Sequence, residues 1–447
     1  MSRAKAQTKQ SSYISRDSSR SYFLAVFVSM VLVFVICSLT ETLPSFQNRI
    51  STTGADTCNG EPPAVNRTHD PKQATFYDEP ELTYTLGKTI KDWDKKRKSW
   101  LNLHPSFAAG ADTRILIVTG SQPSPCKNPI GDHLLLRCFK NKADYSRIHG
   151  YDIFYNTACL DPKLCNVWAK VALIRAAMVA HPEAEWIWWM DSDAVFTDMY
   201  FKVPLQRYKQ HNLVVPGWPD MVYEKKSWVS LNTGSFFTRN CQWSLDFLDV
   251  WARMSPRSPD YKFWSETLMS TLSDKMFPGA DEQSSLVYLL LTEKKKWGDK
   301  IYLENQYDLS SYWVGVVGKL DKFTRTEADA EKNLPLLRRR RAEVVSESVG
   351  EVWEKYLENN TASEGKRPFI THFTGCQPCS GSHDPSYVGN TCWDAMERTL
   401  NYADNQVLRN LGFAHRDISH GSYVSPLAFD FPSEVLQRKK SGEEYNR

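Results

Sequence analysis

Residues 186–198 read WIWWMDSDAVFTD, an apolar and aromatic run that stops abruptly at Asp191-Ser192-Asp193. A run this short and this apolar predicts a buried strand. Packing alone gives no reason to end such a strand with two carboxylates. At the carboxyl end of a central strand they lie on the side where α/β sheets bind ligands. With one residue between them, both reach toward the same hard cation, one directly and one through ribose or water. Oxygen ligands of this kind suit Mg²⁺ or Mn²⁺, ions that usually bridge to substrate phosphates. The bland alternative is a solvated acidic turn. The three tryptophans, the isoleucine and the methionine ahead of the pair favour the metal–diphosphate reading.

Working outward, strand and helix signals alternate. Residues 114–120 form a β-branched run closed by Gly120, and residues 131–149 predict a helix punctuated by Gly150. A strand is expected at 151–156, then a helix over 167–180 that His181-Pro182 stops. The acidic pair leaves the strand at 185–190. Further strands are expected at 212–218 and 234–238, and helices at 243–254 and 282–293. This order predicts an α/β sandwich with a mainly parallel sheet flanked by helices. Gly120 and the acidic pair fall at the same sheet edge, so Gly120 joins Asp191 and Ser192 as a candidate nucleotide contact. No internal repeat is present.

The chain has 447 residues and 13% aromatics, ample for a large core. The net charge is +3, and the first 20 residues alone carry +4, with Arg3, Lys5, Lys9, Arg16 and Arg20 opposed by Asp17 alone. The remainder is close to neutral, which excludes a nucleic-acid partner. Residues 22–39 (YFLAVFVSMVLVFVICSL) carry no charge and predict a single membrane span. The basic flank ahead of it places residues 1–21 in the cytoplasm and everything after the span in a lumen. A cleaved signal peptide competes, but the apolar stretch exceeds a usual signal core and no small-x-small site follows. The polar residues 40–100 read as a stem, 101–430 as the folded domain and 431–447 as a polar tail. The charged stretch 323–365, with Arg338 to Arg341, reads as a solvated helix or insertion.

The ten cysteines fit an oxidising lumen. Cys37 lies in the span, and the odd number remaining leaves at least one free or intermolecular. Cys376-Gln-Pro-Cys379 lacks a second paired motif to complete a zinc site, so structural disulfides are expected there. Asn66-Arg-Thr and Asn359-Asn-Thr are glycosylation sequons that a lumenal location would make usable.

Four further places carry candidate chemistry. His372, in the Gly-containing stretch 371–376, is a candidate third metal ligand, although a lone histidine is more often structural. Asn232, Gly234 and Ser235, in LNTGSF, put small polar groups where backbone approaches a sugar closely, or else form a plain strand-entry turn. Asp281, Glu282 and Gln283 open a helix. Asp281 and Glu282 suit either catalysis or simple capping, and Gln283 adds a donor for sugar hydroxyls. Lys170 is a candidate phosphate partner whose ordinary reading is a surface helical lysine.

The segments GDHLLL, FYN, WAK, WWMDSDAVFTDM, HNLVVPGW, SWVSLNTGSF, RNCQWSLDFLD, DEQSSLVYLL and HFTGCQPCSG, in this order, resemble plant glycosyltransferase family 34 over residues 112–320 and 368–430. That family contains galactomannan α-1,6-galactosyltransferases and xyloglucan α-1,6-xylosyltransferases. The resemblance implies a GT-A fold and a Mn²⁺-dependent, retaining enzyme that uses UDP-galactose or UDP-xylose and a β-1,4-linked polysaccharide acceptor. It also implies a type II Golgi membrane protein, for which a homo- or hetero-oligomer with related transferases is one arrangement to test. By the same resemblance Asp191, Asp193 and His372 hold the metal, Asn232, Gly234 and Ser235 contact the sugar, and Lys170 matches a motif lysine. Asp281 and Glu282 fall on the family's acidic pair, usually Asp-Asp, and Glu282 departs from it. Gln377 stands near the diphosphate where xylosyltransferases commonly carry Lys. That departure and the CKNPIGDH wording are closer to the galactomannan branch. The rival readings are xylosyl transfer onto glucan and a non-catalytic scaffold subunit of a polysaccharide synthase.

Overall fold

The structure, a computed structural model, describes residues 73–333, 355, 356, 359, 367–419, 421 and 423–427. The expected tail and span (1–39), the first part of the stem, Cys58, both sequon asparagine–threonine motifs as wholes, Arg338 to Arg341 and the polar tail lie outside the described residues. Among the described residues, no helix is long and apolar enough to cross a membrane.

Six strands make the central sheet: β1 (Ile115–Gly120), β2 (Asp152–Asn156), β3 (Trp186–Met190), β5 (Leu213–Pro216), β6 (Ser235–Arg239) and β7 (Ile301–Glu304), ordered β2-β1-β3-β6-β5-β7. β2, β1 and β3 pair in parallel, and so do β5 and β7. β6 runs antiparallel to both of its neighbours, so it alone opposes the common direction. This reversal positions the site. The start of β6, not its end, lies beside the carboxyl end of β3, with Met190 opposite Ser235.

The alternation along β3 explains the two cores. Trp186, Trp188 and Met190 face one side of the sheet, and Ile187 and Trp189 face the other. On the Trp189 side the sheet is covered by helices Ala169–Ala180, Gln242–Trp251 and Glu282–Thr292. On the Trp188 side it is covered by helices Gly131–His149 and Thr391–Leu408, with a small second sheet. Helix Gly131–His149 ends at Gly150, whose φ of 69° is the left-handed C-terminal geometry that glycine adopts without strain.

The second sheet joins β4 (Ala194–Phe196), β8 (Ser311–Tyr312) and β9 (Ile370–His372) in the order β4-β9-β8. β4 and β9 are antiparallel, with Ala194 opposite His372. A strand pairing between distant segments thus delivers His372 to the residue after Asp193.

The packed body starts earlier than the expected stem boundary at residue 100. Phe76, Leu86, Ile90, Trp93 and Trp100 are buried in the Trp189-side core. In the charged run 91–98, Asp94, Lys95 and Lys98 are exposed on helix Trp93–Leu103, which Trp93 and Trp100 anchor, while Arg97 turns inward to the Glu185 carboxylate at 2.9 Å. Composition reads this stretch as linker because its apolar residues are few, large and widely spaced.

Cys376 and Cys379 do form disulfides, but not with each other. Cys376 pairs with Cys392 and Cys379 with Cys126, while Cys159 pairs with Cys165. Among the described residues, Cys138 and Cys241 are free.

Candidate active site

Asp191, Asp193 and His372 converge. One ligand atom from each lies within 4.8 Å of the others. His372 Nε2 is 3.4 Å from Asp193 Oδ1 and 3.7 Å from Asp191 Oδ2. The backbone fixes this geometry. The Asp191 N–H donates to the Gly234 carbonyl at 2.7 Å, and the Phe373 N–H donates to the Asp193 carbonyl at 3.2 Å. The Trp189 indole donates to Asp191 Oδ1 at 2.7 Å.

Asn232 sets the tautomer of His372. Its Oδ1 accepts from the Gly234 N–H at 2.9 Å and the Ser310 hydroxyl at 2.9 Å, and lies 3.1 Å from His372 Nδ1. A backbone N–H can only donate, so Oδ1 is the accepting end of the amide and His372 Nδ1 carries the proton. The Nε2 lone pair therefore points at the carboxylates. Two carboxylates and one neutral imidazole, with the far ring nitrogen already hydrogen-bonded, form a donor set that fits Mn²⁺ or Mg²⁺. Burial alone disfavours the His372 imidazolium, but Asp193 and Asp191 outweigh burial and hold its pKa above the ordinary 6.5.

Lys170 is neither a surface lysine nor unengaged. It is 3% exposed. Its ammonium bonds Glu282 Oε1 at 2.7 Å and the Thr233 carbonyl at 3.0 Å, and lies 3.2 Å from Asp191 Oδ1. Burial would neutralise it, yet Asp191 and Glu282 keep it firmly cationic. Glu282 is buried as well and also accepts from the Thr233 hydroxyl at 3.0 Å.

Asp281 serves as the N-cap of helix Glu282–Thr292, accepting from the Ser284 N–H at 2.8 Å. It also accepts from the Ser284 hydroxyl and the Lys275 ammonium, each at 2.6 Å. Gln283 ties the helix to the loop before β6, accepting from Asn232 Nδ2 at 3.3 Å and donating to the Trp228 carbonyl at 3.0 Å. Ser235 is fully buried, and its hydroxyl accepts from the Trp188 indole at 3.0 Å.

A cleft of about 560 Å³ opens beside these three candidate metal ligands. Of the residues singled out from sequence, Gly120, Lys170, Asp191, Ser192, Asp193 and Gln377 line it. Asn232, Gly234, Ser235, Asp281, Glu282, Gln283 and His372 do not; of these, Gly234 and His372 contact the acidic pair directly, and Asn232 and Glu282 act on it through His372 and Lys170. Gly120 is required by the fold as much as by the cleft, because a β-carbon there would fall 2.2 Å from the Asn156 carbonyl oxygen.

Sequence reasoning missed Asn141 and Lys142. Lys142 is 1% exposed, and its ammonium donates to the Ala194 and Ser192 carbonyls at 2.6 and 3.1 Å. Asn141 pairs with both backbone groups of Phe196, at 2.7 and 3.0 Å. Together they clamp the turn that carries both carboxylates. The available signal was the spacing Leu134, Cys138, Lys142, Tyr145, which puts a lysine on the buried face of its helix.

Residues 111–383 match the galactosyl transferase GMA12/MNN10 family. The chain belongs to glycosyltransferase family 34. Its relatives include plant proteins. Glycosyltransferase 6 of Arabidopsis thaliana is 52% identical over 93% of this chain and 95% of its own length. Galactomannan galactosyltransferase 1 of Cyamopsis tetragonoloba is 50% identical over 92% and 95%. Among solved structures, a glycosyltransferase involved in the glycosylation of the major capsid of PBCV-1 aligns over 58% of this chain and 94% of its own, at 12% identity and a TM-score of 0.33. That likeness is too distant to add to the family 34 assignment. As a family 34 member the chain is a glycosyltransferase, with an Asp-Asp-His site suited to a divalent ion beside its cleft.

Proposed function

We propose that this glycosyltransferase moves galactose, with retention, from UDP-galactose to the 6-hydroxyl of mannose in a β-1,4-mannan. It would do so as a type II Golgi membrane protein of GT-A architecture, working in hemicellulose synthesis. The observation that carries the reading is the convergence of Asp191, Asp193 and His372 at the cleft edge. The galactosyl choice is supported by the 50% identity to a galactomannan galactosyltransferase across nearly the whole chain.

Asp191, Asp193 and His372 would hold Mn²⁺, which when bound neutralises charge on the departing diphosphate. Asn232 keeps the His372 lone pair aimed at the ion, and Lys170 fixes the Asp191 rotamer from behind. Retention is read as a same-face displacement. The bond from the anomeric carbon to the diphosphate breaks, the acceptor oxygen bonds to that carbon on the same face, and the hydroxyl proton passes to a phosphate oxygen. The engagement of both nearby carboxylates supports this route. Both oxygens of Asp281 accept, from Ser284 and Lys275, Glu282 is buried with Oε1 held by Lys170 and Thr233, and neither residue lines the cleft where a covalent glycosyl intermediate would form.

The test is a matrix of UDP-galactose and UDP-xylose against manno- and cello-oligosaccharides, using the full-length chain with Mn²⁺. Galactosyl product on the mannan acceptor, with an α-linkage by NMR, is expected. Xylosyl product on the glucan acceptor alone would transfer the chain to the xyloglucan reading. No turnover with any pair would leave the scaffold reading.

A further inference from the structure

The charges around the cleft do not balance once a nucleotide diphosphate enters, and one side chain is placed to correct this. A divalent ion offsets Asp191 and Asp193, and Lys170 is offset by Glu282. Each phosphate of the donor still brings a full negative charge, and the departing diphosphate gains another. Of the residues lining the cleft, only Lys127 and Lys170 are cationic. Lys170 is fully engaged. Lys127 is exposed and, among the described residues, makes no ion pair.

The backbone on either side of Lys127 is fastened. Cys126 is disulfide-bonded to Cys379. The Asn128 N–H donates to the Cys379 carbonyl at 3.0 Å, and its side-chain amide donates to the Pro378 carbonyl at 2.8 Å. A few residues on, Gly131 lets the helix start come so close that a β-carbon would lie 2.5 Å from the Pro378 oxygen. The loop after β1 and the hairpin of β10 (Cys376–Gln377) and β11 (Ser382–His383) are therefore one wall, and both contribute cleft-lining residues. A flexible lysine on a rigid base, facing a cleft with an uncompensated anion, is a phosphate ligand in waiting.

We propose that Lys127 binds the diphosphate of the nucleotide-sugar donor, with the Cys126–Cys379 disulfide holding its backbone at the cleft wall. The inference rests on the nucleotide-donor reading above and adds a binding residue to it. Because negative charge grows on the diphosphate as the glycosyl bond breaks, Lys127 would favour the transition state over the bound donor.

The experiment measures UDP and uridine binding to the full-length chain with Mn²⁺, for wild type, Lys127→Met and Lys127→Arg. Uridine is read as a competitor of UDP. Lys127→Met is expected to weaken UDP about ten- to hundredfold, as for a lost hydrogen bond to a charged group, and to lower kcat as well as raise KM. Uridine competition and the Mn²⁺ half-saturation should not change, and Lys127→Arg should stay near wild type. Wild-type-like UDP affinity in Lys127→Met overturns the proposal, as does an equal loss of UDP and uridine, which marks local damage. A wild type that binds uridine but gains nothing from the diphosphate also overturns it. A wild type that binds neither overturns the nucleotide-donor reading itself.

Discussion

Gly234 faces the His372 ring with no room between them: a β-carbon at 234 would lie 2.0 Å from Cε1 and 2.5 Å from Nδ1. It would also lie 2.9 Å from Asn232 Oδ1, the atom that orients the ring. The sequence suggests a glycine here for close approach of a sugar, but the structure uses it for close approach of the His372 ring. Gly234→Ala is expected to push the imidazole off the carboxylates, since the backbone is pinned on both sides, by Ser235 pairing with Met190 of β3 and by the Asn232 N–H donating to the Pro216 carbonyl of β5. Mn²⁺ affinity, read by electron paramagnetic resonance, should fall about a hundredfold, comparable to the upper range for outer-shell damage to metal sites. Wild-type Mn²⁺ affinity in this variant would mean that the triad is not the metal site.

The Lys170–Glu282 pair calls for a different measurement, because both groups are buried. Lys170→Met leaves the Glu282 carboxylate without its cation in a dry site. Breaking a buried pair in this way costs about 3–5 kcal/mol. Lys170→Met should therefore lower the melting temperature markedly, and adding Glu282→Gln should recover part of the loss because the orphan charge is gone. A double-mutant cycle by urea denaturation reads the coupling. Additive losses would show that the two side chains do not depend on each other.

Stability should depend on pH in opposite directions with and without the metal. His372 in the metal-free fold has its pKa raised above the unfolded 6.5. A raised folded pKa contributes stability that is fully present below about pH 6.5 and is lost as pH rises through the folded value. Mn²⁺ competes with that proton for Nε2, so its stabilisation should be small in acid and grow as His372 deprotonates. The stability difference between wild type and His372→Asn isolates this group from the other titrating residues. It should shrink with rising pH in a chelator and grow with rising pH in Mn²⁺. The same slope in both conditions would remove His372 from the metal.

Much of this site was readable because its signals are local. The strand that delivers Asp191 stands out by its tryptophans, and helix Gly131–His149 by its glycine stop; both occur within a residue or so of the expected bounds. The direction of β6 was not readable, since an apolar strand has the same alternation in either sense. That direction decides that Asn232 and Gly234, ahead of β6, meet the end of β3. The pairing of β9 with β4 is likewise a long-range choice, so His372 was only a candidate until the sheet placed it. Lys170 and Asp281 show the opposite failure. Lysine in a helix and aspartate at a helix start have strong ordinary readings. The first was overturned by burial beside two carboxylates, while the second holds as an N-cap reinforced by Lys275.

Lys142 is the sharpest case of a role that no local signal assigns, and it yields a stability test. Among the described residues its ammonium has no carboxylate partner within hydrogen-bonding distance, and burial pushes its pKa down. What it has instead are the carbonyls of Ser192 and Ala194, which bracket Asp193. Those carbonyls point away from the strand ladders, so the lysine satisfies groups that would otherwise be stranded in the core. Lys142→Met keeps the aliphatic stem and removes only the donors. It should cost about 1–3 kcal/mol for each carbonyl left unpaired, seen as a lower urea midpoint. Turnover should fall beyond what the residual stability explains, because the Asp191–Asp193 turn loses its clamp. Asn141→Leu should act in the same direction by freeing Phe196. If Lys142→Met keeps both its midpoint and its turnover, the buried ammonium is incidental to the turn, and the carboxylates are held by the β3 and β4 pairings alone.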